Sequence, residues 1–186
     1  MAAAPGLSPG LARVIVGIDA FTEFTGNIVA WIVVPMALAV GYEVFARYLF
    51  NAPTKWAYDI TYMCYGTLFM LGAAYTLKRG AHIRTDMLWQ NFSERKKGVI
   101  DTLAYLLFFF PGMFMLFYVG WGEAYQSFTV NETSEQTAWR PLLWPFKFVV
   151  PITALMLMLQ GIAETIKSIY AWRNGVPYEK KEGADI

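Results

Sequence analysis

The chain has 186 residues, 56% of them hydrophobic and 17% aromatic, with a formal net charge of +1, one histidine and one cysteine. That balance gives no electrostatic basis for binding nucleic acid, and a lone Cys64 rules out an internal disulfide. A single His82 excludes a haem held between two histidines of this chain. The apolar residues fall in long blocks, several near or above the length that crosses a bilayer, which argues for a membrane protein over a soluble helical core.

Residues 1–10 are small, Pro/Gly-rich and uncharged. They lack the basic start and compact apolar stretch of a signal peptide and read as a flexible tail. A first helix is predicted over 13–49, with Asp19 and Glu23 in its lead-in and the membrane entered around Phe24. Pro35, inside the run IVAWIVVPMALAV, removes a backbone donor and predicts a kink. Glu43 and Arg47 close this helix before Pro53.

A second helix is predicted over 55–78. The run from Lys55 to Leu77 spans roughly 35 Å as a helix, enough for a hydrocarbon core of about 30 Å. Thr54 is the expected N-cap, Trp56 suits the headgroup level, and Lys78, Arg79 and Gly80 mark a basic stop. Gly66, Gly72, Ala73 and Ala74 favour close approach of another helix.

The connection from Lys78 to Lys97 is the most basic part of the chain. Ile83, Met87, Leu88 and Phe92 recur at helical spacing among polar His82, Arg84, Asp86 and Gln90. A short interfacial helix and a plain loop both fit. A third helix is expected over 94–128, with Ser93 as N-cap and Pro111-Gly112 as a bend. The polar stretch QSFTVNETSEQTAWRP lies outside the membrane. A fourth helix follows over 145–172 with Pro151 in its first turns, and 175–186 forms a charged, flexible tail.

The fold class is therefore an all-α integral membrane protein, one domain of four transmembrane helices. Orientation follows from the fifteen Lys and Arg residues. With the N-terminus inside, eleven lie on the cytoplasmic side (Arg13, Lys78, Arg79, Arg84, Arg95, Lys96, Lys97, Lys167, Arg173, Lys180, Lys181) and four outside (Arg47, Lys55, Arg140, Lys147). Both termini are expected to be cytoplasmic. No internal repeat is visible, so the chain shows no inverted-repeat transporter core.

No metal, nucleotide or nucleophile signature appears, so no enzyme activity, metal or cofactor is expected. His82 and Asp86 share a helix face if that segment is helical, but two ligands are too few for a metal, and a surface hydrogen-bonded pair is the simpler reading. Glu43 and Arg47 stand at i,i+4, with Asp59 across the Pro53 turn. They form either an ion path or an interfacial cluster in which Arg47 reaches both acids; the midplane holds no acid, which favours the cluster. Gln160, the deepest strongly polar residue, is expected to hydrogen-bond a neighbouring helix. Phe108 to Phe110 and Met113, Met115, Met156 and Met158 read as a lipid- or partner-facing surface.

Arg47, Tyr48, Phe50, Pro53, Trp56 and Asp59, followed by FMLGAAYTLKRGAHIRTDML, resemble the small four-helix membrane subunit of TRAP (tripartite ATP-independent periplasmic) transporters. Asp59 stands where the family usually has glutamate, which keeps the charge. The stretch NETSEQTAWRPLLWPFKFVVPITALMLMLQGIAE is similar to the branch associated with carboxylates such as 2-oxo and 2-hydroxy acids. The resemblance runs from Asp19 to Trp172. It implies a non-catalytic subunit of the bacterial inner membrane that braces a large elevator subunit binding sodium and substrate. A periplasmic substrate-binding protein delivers the substrate, and phospholipids surround the rest. Two other classes compete: a membrane anchor for a redox enzyme complex, and a self-sufficient small transporter or channel.

Overall fold

The computed structural model describes residues 7–80 and 92–178. The expected interfacial helix, with His82 and Asp86, lies outside the described residues, as do most of both tails. The elements are α1 (Pro9–Ala30), α2 (Val33–Phe50), α3 (Ala57–Arg79), α4 (Glu94–Ala104), a π turn (Tyr105–Phe109), α5 (Phe110–Thr129), α6 (Trp144–Lys147) and α7 (Val149–Asn174). They join into four helical runs long and apolar enough to cross a membrane: 9–50, 57–79, 94–129 and 144–174. The all-helical, four-span class is thus the observed one. Among the described residues the β pairing is limited to a bridge between Thr133 and Leu142.

Prolines explain where the runs depart from straight helices. The predicted helix 13–49 starts earlier, at Pro9 behind the Ser8 cap, and divides into α1 and α2. In a regular helix the Trp31 carbonyl would accept from residue 35, but Pro35 has no N–H. The Val34 amide donates to that carbonyl instead, at 3.1 Å, and Ile32 donates to Val29 at 3.0 Å, tightening the turn to a 3₁₀ pattern. In the third run the irregularity is a π turn, which ends two residues before Pro111. The carbonyl that Pro111 would crowd belongs to Leu107, inside that turn, so the wider coil accommodates the ring. Pro151 sits in the first turn of α7, where its missing donor leaves no bond unmade.

The fourth run is the axis of the bundle. Its apolar window is 44% buried, against 6–11% for the other three. α7 packs on α1, α3, α4 and α5, while α2 packs chiefly on α3. The apolar core joins Ala74 and Leu77 of α3, Tyr105 of the π turn and Leu157 of α7, with Phe109, Phe110, Met113 and Met156 against them. Close approach of α4 to α7 depends on Gly98, where a Cβ would fall 2.5 Å from the Trp172 amide nitrogen and 2.6 Å from the Ser168 carbonyl oxygen. The small residues of α3 divide in use. Gly66 faces the Phe146 ring and Ala74 is fully buried, whereas Gly72 meets nothing within 4 Å. Trp31, Leu38, Tyr48, Phe50, Phe108, Met115 and Tyr118 are 69–79% exposed, an apolar surface that needs lipid or a partner rather than water.

Candidate functional site

Polar side chains gather at two levels, one near the α2–α3 turn and one where α1 meets α7. At the first, α2 ends on Asn51 in the left-handed region, with the Ala52 amide donating to the Ala46 carbonyl at 3.0 Å. Pro53 then turns the chain into α3. Glu43 reaches across this turn. Its Oε2 accepts from the Thr54 amide at 2.8 Å and from the Thr54 hydroxyl, while Oε1 accepts from Arg47 Nε at 2.8 Å. The residue at the cap position of α3 is Trp56 rather than Thr54, yet the Thr54 hydroxyl still takes the Ala57 amide at 3.4 Å. Trp56 stacks on Tyr42 with ring centroids 5.6 Å apart, joining α2 to the start of α3.

The short turn suggests that Arg47 bridges the two acids, and it does not. Its side chain is 57% exposed and, among the described residues, pairs with Glu43 alone. Asp59 points away, into the 130–143 connection, and is fully buried. Its Oδ1 accepts from the Ser134 hydroxyl at 2.6 Å and its Oδ2 from the Thr137 hydroxyl. Those hydroxyls in turn accept the Gln136 and Trp139 amides at 3.2 and 3.3 Å, so one carboxylate organises the whole tip of the connection. Its stem is closed by Ser134 N–H to the Pro141 carbonyl (2.8 Å) and Leu143 N–H to the Glu132 carbonyl (2.9 Å). Lys147 Nζ reaches Glu132 at 2.6 Å, with Glu123 at 4.0 Å. The Lys147 ammonium holds the Glu132 carboxyl below its ordinary range.

At the second level Gln160 is the hub, and it does bond to a neighbouring helix. Its Oε1 accepts from the Thr22 hydroxyl at 2.7 Å, and its Nε2 donates to Asp19 Oδ1 at 2.9 Å and Glu164 Oε1 at 3.4 Å. Lys167 Nζ donates to Asp19 Oδ2 at 2.7 Å and Glu164 Oε1 at 3.1 Å. Just beside it, Glu23 of α1 pairs with Lys78 and, at 3.5 Å, with Arg79 of α3. Asp19, expected in the lead-in of the first helix, is thus part of the helix packing. The spacing of Gln160, Glu164 and Lys167 (i, i+4, i+7) was the available signal, because it sets all three on one face of α7.

Both groups tie helices together. Their polar atoms are spent on one another, and Glu43, Asp59 and Gln160 share no partner that would join them into one ion route. Among the described residues no three His, Cys, Asp or Glu side chains gather to hold a metal ion.

Four apolar spans cross-linked by internal polar clasps define a multi-pass helical membrane protein. The family model described as "Tripartite ATP-independent periplasmic transporters, DctQ component" matches residues 36–170, and the chain belongs to that family. It is therefore the small membrane component of a TRAP transporter and not an enzyme, and membership implies association with the large membrane subunit and the substrate-binding protein. No individual curated protein is significantly similar to the chain.

Proposed function

We propose that the chain braces the large subunit of a sodium-coupled TRAP transporter that imports organic acids through the bacterial inner membrane. Substrate and sodium are carried by the large subunit and delivery is by the periplasmic binding protein; this chain supplies a rigid, lipid-embedded support with both termini cytoplasmic. The observation that carries the reading is the family match over 36–170. Two features support the bracing role in particular. Gln160 and Asp59 spend their side-chain atoms on bonds within the bundle, to α1 and to the 130–143 connection, and a broad aromatic surface on α2 and α5 is left uncovered. Carboxylates such as 2-oxo and 2-hydroxy acids are the proposed substrate class, on the resemblance of the 131–164 stretch.

The test is reconstitution in liposomes with a sodium gradient and the binding protein. Uptake of a labelled carboxylate is expected only when this chain and the large subunit are both present. Uptake by this chain alone would refute the bracing role, and undiminished uptake without it would do the same. The redox-anchor alternative has no observation in its favour; a featureless visible spectrum of the purified complex is expected.

A further inference from the structure

We propose that α1 docks on α7 through a cation-keyed clasp: Asp19 and Glu164, held in place by the Gln160 amide, frame a position for one monovalent cation, and the chain fills it with the ammonium of its own Lys167. The family match begins at Met36, so α1 lies outside the matched segment and its docking has to be explained by this chain's own contacts. Three observations carry the proposal. Lys167 Nζ is gripped by two carboxylate oxygens from different helices, Asp19 Oδ2 at 2.7 Å and Glu164 Oε1 at 3.1 Å, and its side chain is 10% exposed. The Gln160 amide is fixed by Thr22 so that its Nε2 faces the same two acids and its carbonyl does not. Finally, Ile15, one turn before Asp19 on the same face, is 1% exposed, so the clasp borders a closed part of the α1 surface, while the rest of α1 is held on α3 by Glu23 and by Gly26 against the Tyr75 ring.

Two carboxylates brought this close repel each other, and removing them from water is unfavourable unless a cation sits between them. An ammonium meets that need by charge and by donated N–H bonds. Tethering it to α7 means that no cation has to be captured from solution. The key is thus chemical, a primary ammonium, and the α1–α7 contact opens locally when it is lost. The inference depends neither on the transported substrate nor on which side of the membrane α1 begins.

The experiment uses the full-length chain carrying Ile15→Cys, with maleimide labelling read site by site and Cys64 as the internal reference. The parent should protect the thiol introduced at position 15. Lys167→Met should raise its labelling rate by about tenfold or more, the signature of a local opening, with Cys64 unchanged. Methylammonium should restore protection, and choline, which has no N–H to donate, should not. The neutral triple variant Asp19→Asn/Glu164→Gln/Lys167→Met needs no cation and should stay protected, which separates the clasp from a general failure to fold. Unchanged protection in Lys167→Met, absent rescue, equal rescue by choline, or a triple variant as reactive as the single one overturns the proposal.

Discussion

Asp59 and Ser134 stand 75 positions apart in the chain and meet at 2.6 Å, with the carboxylate sealed from solvent. The first turn of α3 thereby holds the connection between α5 and α6. Because Thr137 takes the other carboxylate oxygen, and both hydroxyls cap backbone amides, the acid fixes the loop's main chain and not only its side chains.

Asp59→Ala should therefore destabilise the protein by about 1–3 kcal/mol, since the buried Ser134 hydroxyl and the half-buried Thr137 hydroxyl lose their acceptor. Asp59→Asn, which retains one acceptor oxygen, should lose less. Lys55→Ala, at an exposed position four residues earlier, should stay within about 0.5 kcal/mol. Thermal unfolding of the purified protein gives the order, and limited proteolysis should show cleavage in 130–143 only for the Asp59 variants. Equal melting of Asp59→Ala and Lys55→Ala would remove the latch.

Glu43 and Arg47 are unequal partners despite forming one ion pair. Glu43 is 18% exposed at its side chain and also accepts both Thr54 donors, whereas Arg47 stands mostly in the open. Arg47→Ala should cost at most about 1 kcal/mol, as exposed pairs do. Glu43→Ala strips the α2–α3 turn of its acceptor and should cost about 1–2 kcal/mol more. A paired melting comparison decides, and an Arg47 variant worse than the Glu43 variant would contradict the geometry.

The glycines offer a contrast within one chain. Gly98→Ala places a methyl 2.5 Å from the α7 backbone, where no side chain can move aside, and should cost about 1–3 kcal/mol by forcing α4 off α7. Gly72→Ala meets open space and should be neutral or stabilising by up to about 1 kcal/mol through helix propensity. Recovery and melting of the two variants test this directly.

How far the sequence was legible varies with the range of the interaction. Four spans could be read because length and apolar content are local properties of each run. Pro35 and Pro111 announced irregular backbone, although a π turn rather than a simple bend at Pro111 depends on packing against Gly161, where a Cβ would lie 2.5 Å from the Phe109 ring. Arg47 and Asp59 were misjoined because they are close along the chain, while rotation of α3 turns the acid to the opposite side. Its actual partners lie in a loop that carries no periodic pattern. The Asp19–Lys167 pair spans 148 positions, and nothing local at Asp19 marks it as buried. The spacing at Gln160, Glu164 and Lys167 marks a polar face of α7, but a spacing does not say which helix covers it.

Acidification should loosen the 130–143 connection before it disturbs the spans. The Glu132 carboxyl, outside the membrane-spanning segments, is lowered from 4.5 by Lys147. A depressed acid contributes stability that is fully present above its unfolded value and is lost as pH falls through the folded one. The loop should thus be equally protected from pH 7 to about 5 and lose protection below about 4.5, with only a modest amplitude because the pair is partly solvated. Glu132→Gln should flatten that profile and lower the plateau. Hydrogen exchange at the Leu143 amide, which donates to the Glu132 carbonyl, is the readout. A parent profile that rises on acidification would reverse the sign and exclude the ion pair as its cause.

The orientation of the bundle is open to a direct chemical test at two exposed positions. Glu135 lies at the tip of the 130–143 connection and Ser93 at the start of α4, at opposite ends of the third run. Ser134 itself is unsuitable, since it is buried against Asp59 and its replacement would break the latch. If the end that holds Ser93 is the one with eleven of the fifteen Lys and Arg residues, as the sequence reading has it, the positive-inside bias predicts a cytoplasmic location for it. An impermeant thiol reagent applied to intact spheroplasts should therefore modify Glu135→Cys and spare Ser93→Cys, and permeabilisation should expose the second site. Cys64, within α3, serves as the unreactive control. Labelling of Ser93→Cys alone would place both termini outside and the Asp59 latch at the cytoplasmic face, reversing the predicted orientation.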